Sequence, residues 1–400
     1  MNKKLMTGFW AFTFLCVLII TDADAQIFKN LRKQINPVTV QKLPDGNIGN
    51  NEKYRPKLFL SLPNHLHNPD GLTYCAKTGK IFLNVPNFNN MDANRKKGNH
   101  EGGYLVMIDP KTAAFEVVLE YPIFEETGQT GPMGLAFAPD GNLYVCDNQY
   151  LHNKNHKSRI LKVEMKCGKP TGVITPVIVG LKHPNAILWH HNELWVTDTC
   201  LDLEGYFGIG GLWRFKADEI LKQKEPLKVL PNGRDEHLVV KESVKKVGRE
   251  SPAGADGMTV DDKGVIYFGN CGDGVMYAVT VNTDDSIKCI KILDDDRYRC
   301  CDGIFFDPVS KLIFINDPQE NAIRAMTPLR QDRRGRQTHV RCWTVWENGD
   351  TDGTDGLLDV PCECVVVDGK MYIANFDAAS PGLKNTKFDA PHTISVISLK

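Results

Sequence analysis

The chain has 400 residues, 42% of them hydrophobic and 24% charged, with a formal net charge of −1. That balance is ordinary for a globular protein and leaves room for one large closed β domain. It excludes a global basic field that would draw nucleic acid or an anionic membrane, and the one local basic run, Arg330 to Arg336, reads as a solvated loop.

The N-terminus carries Lys3 and Lys4, an apolar stretch from Phe9 to Ile20, and the small-residue site Ala23-Asp24-Ala25. This order predicts a cleavable signal peptide over residues 1–25, because the apolar stretch is too short to span a bilayer comfortably. The mature chain would begin near Gln26, with residues 26–56 as an N-terminal extension, and the protein would be secreted. No later segment is long and apolar enough to suggest a membrane span. Of the 12 cysteines, Cys16 leaves with the leader, and the odd number that remains leaves at least one free or paired with another chain. In an oxidising compartment the rest are read as disulfides rather than metal thiolates. Cys146 with Cys200, and pairs among Cys300, Cys301, Cys362 and Cys364, are the expected bonds. No Asn-x-Ser/Thr acceptor occurs.

Residues 57–400 contain one β unit six times. In chain order, Pro69-Asp70-Gly71 leads to Lys80–Leu83, Pro132-Met133-Gly134 to Asn142–Val145, and Pro184-Asn185-Ala186 to Glu193–Val196. Ala255-Asp256-Gly257 then leads to Gly264–Tyr267, Cys301-Asp302-Gly303 to Lys311–Phe314, and Cys362-Glu363-Cys364 to Lys370–Ile373. Successive units begin roughly 45 to 70 residues apart, a spacing that suits a four-stranded blade and is far too long for a hairpin. Asp-Gly, Lys-Thr-Gly and Asp-Lys-Gly sit between the paired strands and supply the positive φ that tight turns need. Third strands are expected at Gly103–Ile108, Arg159–Val163 and Gly211–Phe215, and a short helical turn near Lys216 to Gln223. No pair of strands can bury its apolar face alone, so the predicted fold is all-β, a six-bladed β-propeller. It would be closed by pairing Lys57–Leu62 with Ile394–Leu399.

One register of the repeat is chemically distinctive. The first strands open with Asp70, Met133, Asn185, Asp256, Asp302 and Glu363. In a propeller the innermost strands face the central channel, so these positions converge on one mouth. Four carboxylates and an amide gathered there would repel if empty. Oxygen donors of this kind suit Ca²⁺, or another divalent cation, and the expected ligands are Asp70, Asn185, Asp256, Asp302 and Glu363.

At this point the chain resembles the senescence marker protein-30/gluconolactonase family, whose relatives include the paraoxonases and the squid-type diisopropylfluorophosphatase. The likeness runs from about Leu58 to the C-terminus. It rests on Pro184-Asn185-Ala186-Ile187-Leu188-Trp189 and on Asp256-Gly257 followed by Asp261, Gly264 and Ile266-Tyr267. It implies that Asn185 and Asp256 bind a catalytic divalent metal and that Asp256 also acts as base or nucleophile. Two departures stand out: Asp70 precedes Gly71-Leu72 where the family usually has Glu-Gly-Pro, and Met133 replaces an Asn of the second blade.

A bound cation can polarise a carbonyl or phosphoryl oxygen while Asp256 attacks or activates water. The expected activity is therefore hydrolysis of small-molecule lactones, esters or phosphotriesters. His65, His67 and His183 precede first strands, and His183, two residues before Asn185, is the second candidate catalytic residue. His190 and His191 fall in a hairpin turn and should face solvent. A second reading comes from Pro132–Asn148 followed by Ser158-Arg159-Ile160, which resembles NHL-type units and implies a propeller that binds partners without catalysis.

Overall fold

A computed structural model of the chain describes residues 50–88, 102–150, 155–201, 208–231, 233–244, 253–331, 339–379 and 382–400. The expected signal peptide, most of the extension and residues 332–336 of the basic run lie outside the described residues. Arg330, at the head of that run, forms ion pairs with Asp261 and Asp262.

Six antiparallel sheets stand in a ring, confirming the propeller. Blade one is Leu72–Cys75, Lys80–Val85, Tyr104–Ile108 and Phe115–Glu120. Blade two is Pro132–Phe137, Leu143–Asp147, Ser158–Lys166 and Lys169–Leu181, with Leu227–Lys228 added in parallel at its outer edge. Blade three is Pro184–His190, Glu193–Asp198, Ile209–Lys216 and Leu238–Ser243. Blade four is Ala255–Val260, Ile266–Asn270, Met276–Val281 and Ile287–Leu293. Blade five is Ile304–Asp307, Leu312–Asp317, Ala322–Met326 and Cys342–Glu347. Blade six is Pro361–Val367, Lys370–Asn375 and Thr393–Ser398, completed by Lys57–Ser61 from the start of the propeller. That last pairing joins the two ends of the ring, so opening it would expose two sheet edges at once.

The second strands are buried on both faces, which is why Ile81–Leu83 and Leu143–Cys146 are unbroken apolar runs rather than alternating ones. The core is divided accordingly into six clusters, one in each gap between neighbouring blades. Phe82 and Leu105 meet Leu143 and Val145 between blades one and two, and Tyr144 and Ile178 meet Val196 and Phe215 between two and three. Trp195 meets Phe268, Tyr267 meets Ile313, Phe314 meets Ile373, and Tyr372 meets Ile81 around the rest of the ring. Each such side chain contributes about 1.5–3 kcal/mol by leaving water. The hairpin turns use left-handed residues where the strands demand them: Gly141 has φ +81°, and His191 and Asn192 have φ +46° and +64°.

Candidate functional site at the channel mouth

The first strands pack directly on one another around the axis. Gly71 lies so close to blade two that a Cβ there would stand 2.4 Å from the Met133 carbonyl. Gly134 lies equally close to the Asn185 carbonyl, Gly257 closer still to that of Asp302, and Gly303 against the Cys362 carbonyl and the Glu363 carboxyl. Between blades three and four, Thr197 Oγ1 donates to the Asp256 carbonyl at 2.5 Å, and between six and one, Cys362 Sγ contacts the Pro69 carbonyl at 3.2 Å. The six register positions are therefore consecutive neighbours in one ring. The repeat uses Gly after the ring residue in four blades because the next blade's backbone occupies the space of a side chain.

The carboxyls in this ring act on one another. Asp70 and Asp256 are buried, at 7% and 4% exposure. Burial pushes Asp70 up to about 7. Burial, then Cys271, Asp70 and Glu363, hold Asp256 well above the usual carboxylate range. Asp302 is raised by burial and by Asp256, Asp70 and Glu363, and Glu363 is pushed up to about 8, mainly by burial. Glu363 Oε1 also accepts from the Cys364 N–H at 2.9 Å. Asp256 Oδ1 is buried without a hydrogen-bond partner, a costly condition for a polar atom. The donor set is all oxygen and one oxygen is orphaned, which fits a hard cation. Among the described residues, however, no three His, Cys, Asp or Glu side chains close on a single point. The residues that could hold such a cation are those expected from the repeat, Asp70, Asn185, Asp256, Asp302 and Glu363.

Met133 is buried and packs in the cluster that contains Phe88, Tyr144 and Ile187. Its carbonyl accepts from Asn84 Nδ2 at 2.6 Å. His183 has its backbone N–H on Asp198 Oδ1 at 2.7 Å and stacks on Tyr150, with ring centroids 4.7 Å apart. Asp198 also accepts from the Lys182 N–H and from Trp213 Nε1, so a buried carboxyl fixes the start of the strand that carries Asn185. His67 lies against His392, whose Nε2 is 3.1 Å from His67 Nδ1, and His65 lies edge-on to Tyr104. The turn histidines differ from expectation in one respect. His191 is exposed, but His190 is half-buried with its Nε2 shielded and close to Gly264 of blade four, and burial pushes it down.

The cysteines take other neighbours than those expected. Cys300 Sγ is 2.8 Å from Cys271 Sγ, Cys362 Sγ contacts the Pro69 and Ala374 carbonyls, and Cys200 Sγ faces Tyr150 Oη at 3.7 Å. The described cysteines are thiols. Sequence reasoning also passed over a second polar layer at the ends of the second strands. Asn84, Thr197 and Asn316 bind carbonyls of ring residues or their neighbours, and Asp147, Asp198 and Asp317 anchor the segments that lead into the first strands of their own blades. The recurring Thr-Asp, Asn-Asp and Cys-Asp endings are the signal that marks it.

No protein-family model matches the chain, and no curated protein does. Solved structures do resemble it. The PQQ-bound aldose sugar dehydrogenase of Streptomyces coelicolor superposes with a TM-score of 0.52 at 14% identity, covering 88% of this chain and 100% of that one. A luciferin-regenerating enzyme gives 0.52 at 11% identity, over 86% and 94%. An oxidoreductase described as a glucose dehydrogenase, from Thermus thermophilus, gives 0.51 at 13% identity, over 86% and 99%. At such identities the likeness establishes the shared propeller fold, and function must be argued from the site.

Proposed function

We propose that the chain is a secreted, metal-dependent hydrolase of small-molecule lactones, esters or phosphotriesters, working at the channel mouth with Ca²⁺ or another divalent cation. The observation that carries this reading is the ring of four carboxyls, Asp70 and Asp256 buried and Asp302 and Glu363 partly buried, that includes the orphaned Asp256 Oδ1. Asn185 and Asp256 would hold the ion, with one of Asp70, Asp302 or Glu363 beside them. When bound, the cation supplies Lewis-acid polarisation of the carbonyl or phosphoryl oxygen. Asp256 would take a proton from water, or attack the substrate itself. His183 is the second candidate base, placed by Asp198 at the head of the Asn185 strand. The resemblance of the ring motifs to the gluconolactonase family supports the same assignment. The NHL-like repeat of blade two supports a second reading, a propeller that binds a ligand or protein without turnover.

A panel of lactones, aryl esters and an aryl phosphotriester, assayed with Ca²⁺ and with chelator, separates the two. The hydrolase reading expects turnover that falls on chelation and drops at least about 100-fold in Asp256→Asn. Turnover that survives both treatments sinks it. Cation-dependent stabilisation without turnover on any substrate favours the binding propeller.

A further inference from the structure

Cys271 and Cys300 stand 29 residues apart in sequence and bring their sulfurs to 2.8 Å. Cys271 follows the second strand of blade four, and Cys300 lies on the segment that leads into blade five. The approach is set by backbone on both sides. The Cys271 N–H donates to the Gly254 carbonyl at 3.0 Å, and the Cys301 N–H donates to the Asn270 carbonyl at 3.2 Å. Gly274 is wedged against the Tyr298 carbonyl, which holds the two segments together a few residues further on. Cys300 is fully buried, whereas Cys271 is partly exposed. Cys271 is also one of the groups that act directly on Asp256. The pair therefore forms part of the wall behind a ring carboxylate, and the outer strands of blade four, Met276–Val281 and Ile287–Leu293, lie in the segment between the two cysteines.

From this juxtaposition we infer that Cys271 and Cys300 are a thiol–disulfide pair whose oxidation clamps blade four to the start of blade five beside Asp256. The oxidant is a low-molecular-weight disulfide. The Cys271 thiolate attacks one of its sulfurs, the S–S bond breaks, and one small thiolate leaves and takes the proton that Cys271 gave up. Cys300 then attacks the mixed disulfide at the Cys271 sulfur. The second small thiol leaves with the Cys300 proton. Two protein thiols become one disulfide, and the small disulfide is reduced to two thiols. The exposure difference sets the order, because only Cys271 is open to the oxidant.

The test uses the full chain, first reduced, then exposed to oxidised glutathione, denatured, alkylated and mapped by mass spectrometry. A peptide joining the segments around Cys271 and Cys300 is expected, while Cys75 and Cys167 join no second peptide and end as free thiols or glutathione adducts. In Cys300→Ser, Cys271 should retain a glutathione adduct. In Cys271→Ser, Cys300 should acquire none. Oxidised wild type should melt a few degrees above the reduced protein, a difference that both variants lose. Full alkylation of both residues after oxidation, or their capture with Cys301, Cys362 or Cys364 instead, overturns the assignment. The wild-type map decides this even if a variant fails to fold, and it is independent of any hydrolytic activity.

Discussion

Asn at position 70 tests whether burial holds the ring carboxyls neutral. Asp70 is 7% exposed, and burial moves its carboxyl from 3.8 to about 7. Unfolding returns it to water and to its ordinary value. Between those limits the folded chain keeps a proton that the unfolded chain has released. Stability contributed by this group is thus full below 3.8, declines as pH rises, and is lost above about 7. The interval of about three pH units, at 1.36 kcal/mol for each, amounts to about 4 kcal/mol. Asp256, Asp302 and Glu363 share the ring and the thiols of Cys146 and Cys362 feel the Asp70 charge, so they contribute slopes of their own. The informative quantity is therefore the difference between two proteins. In chelator, urea unfolding followed by tryptophan fluorescence should show wild type losing about 4 kcal/mol more than Asp70→Asn between about pH 4 and pH 8. Adding Ca²⁺ at the higher pH should restore wild type and leave the variant less affected. Parallel pH profiles for the two proteins would refute the claim that Asp70 is buried as a neutral acid.

Other expectations concern what holds the ring in place. Gly257→Ala puts a Cβ at 1.8 Å from the Asp302 carbonyl and should cost at least about 2 kcal/mol, while Gly349→Ala meets nothing within 4 Å and should stay within about 0.5 kcal/mol. Equal melting temperatures for the two variants would contradict the close blade-to-blade contact. Asp198→Ala strands the Lys182 and His183 N–H groups and Trp213 Nε1, so a loss of about 3 kcal/mol in chemical denaturation is expected, together with reduced turnover if His183 and Asn185 work at the site. Arg324, 3% exposed and paired with Asp317 and Glu347, should cost about 3–5 kcal/mol when replaced by Met. Changing Asp317 to Leu in the same chain should recover part of that loss, and a double variant no better than the single one argues against the pair.

The propeller was legible because its inner strands impose rules on the sequence. Strands buried on both faces read as apolar runs, and the tight turns between them need left-handed residues, so both signals recur at every blade. Outer strands obey neither rule. The long arm Lys169–Leu181 is half exposed, and the parallel pair Leu227–Lys228 is too short to carry any pattern. The ring residues were visible for the same reason as the inner strands, since the register repeats. Neighbours across blades were not. Cys300 and Cys362 occupy similar places before ring residues, which suggested a bond between blades five and six. The backbone instead turns Cys300 back towards blade four, where Cys271 waits after a strand end. Similarly, His67 and His392 meet only because the strand after His392, Thr393–Ser398, pairs with Lys57–Ser61 at the start of the propeller.

The ring itself is less symmetrical than six repeats suggest, and this bears on how it can work. Its acids come from four consecutive blades, Asp256, Asp302, Glu363 and then Asp70, whereas Met133 and Asn185 occupy the remaining two. The acids are therefore concentrated on one side of the mouth. Met133 packs with Tyr144 and with Phe88, which follows the second strand of blade one, and Phe376, which follows that of blade six, lies against the same cluster, so apolar side chains from three blades meet beside the ring. In the hydrolase reading, an ion neutralising the acidic arc would draw on Asn185 as well. A substrate whose polar oxygen faces that ion would have its hydrocarbon part over the apolar sector, the division that an ester or lactone needs and a bare inorganic anion does not. In the hydrolase reading Met133 would then supply apolar contact rather than a ligand.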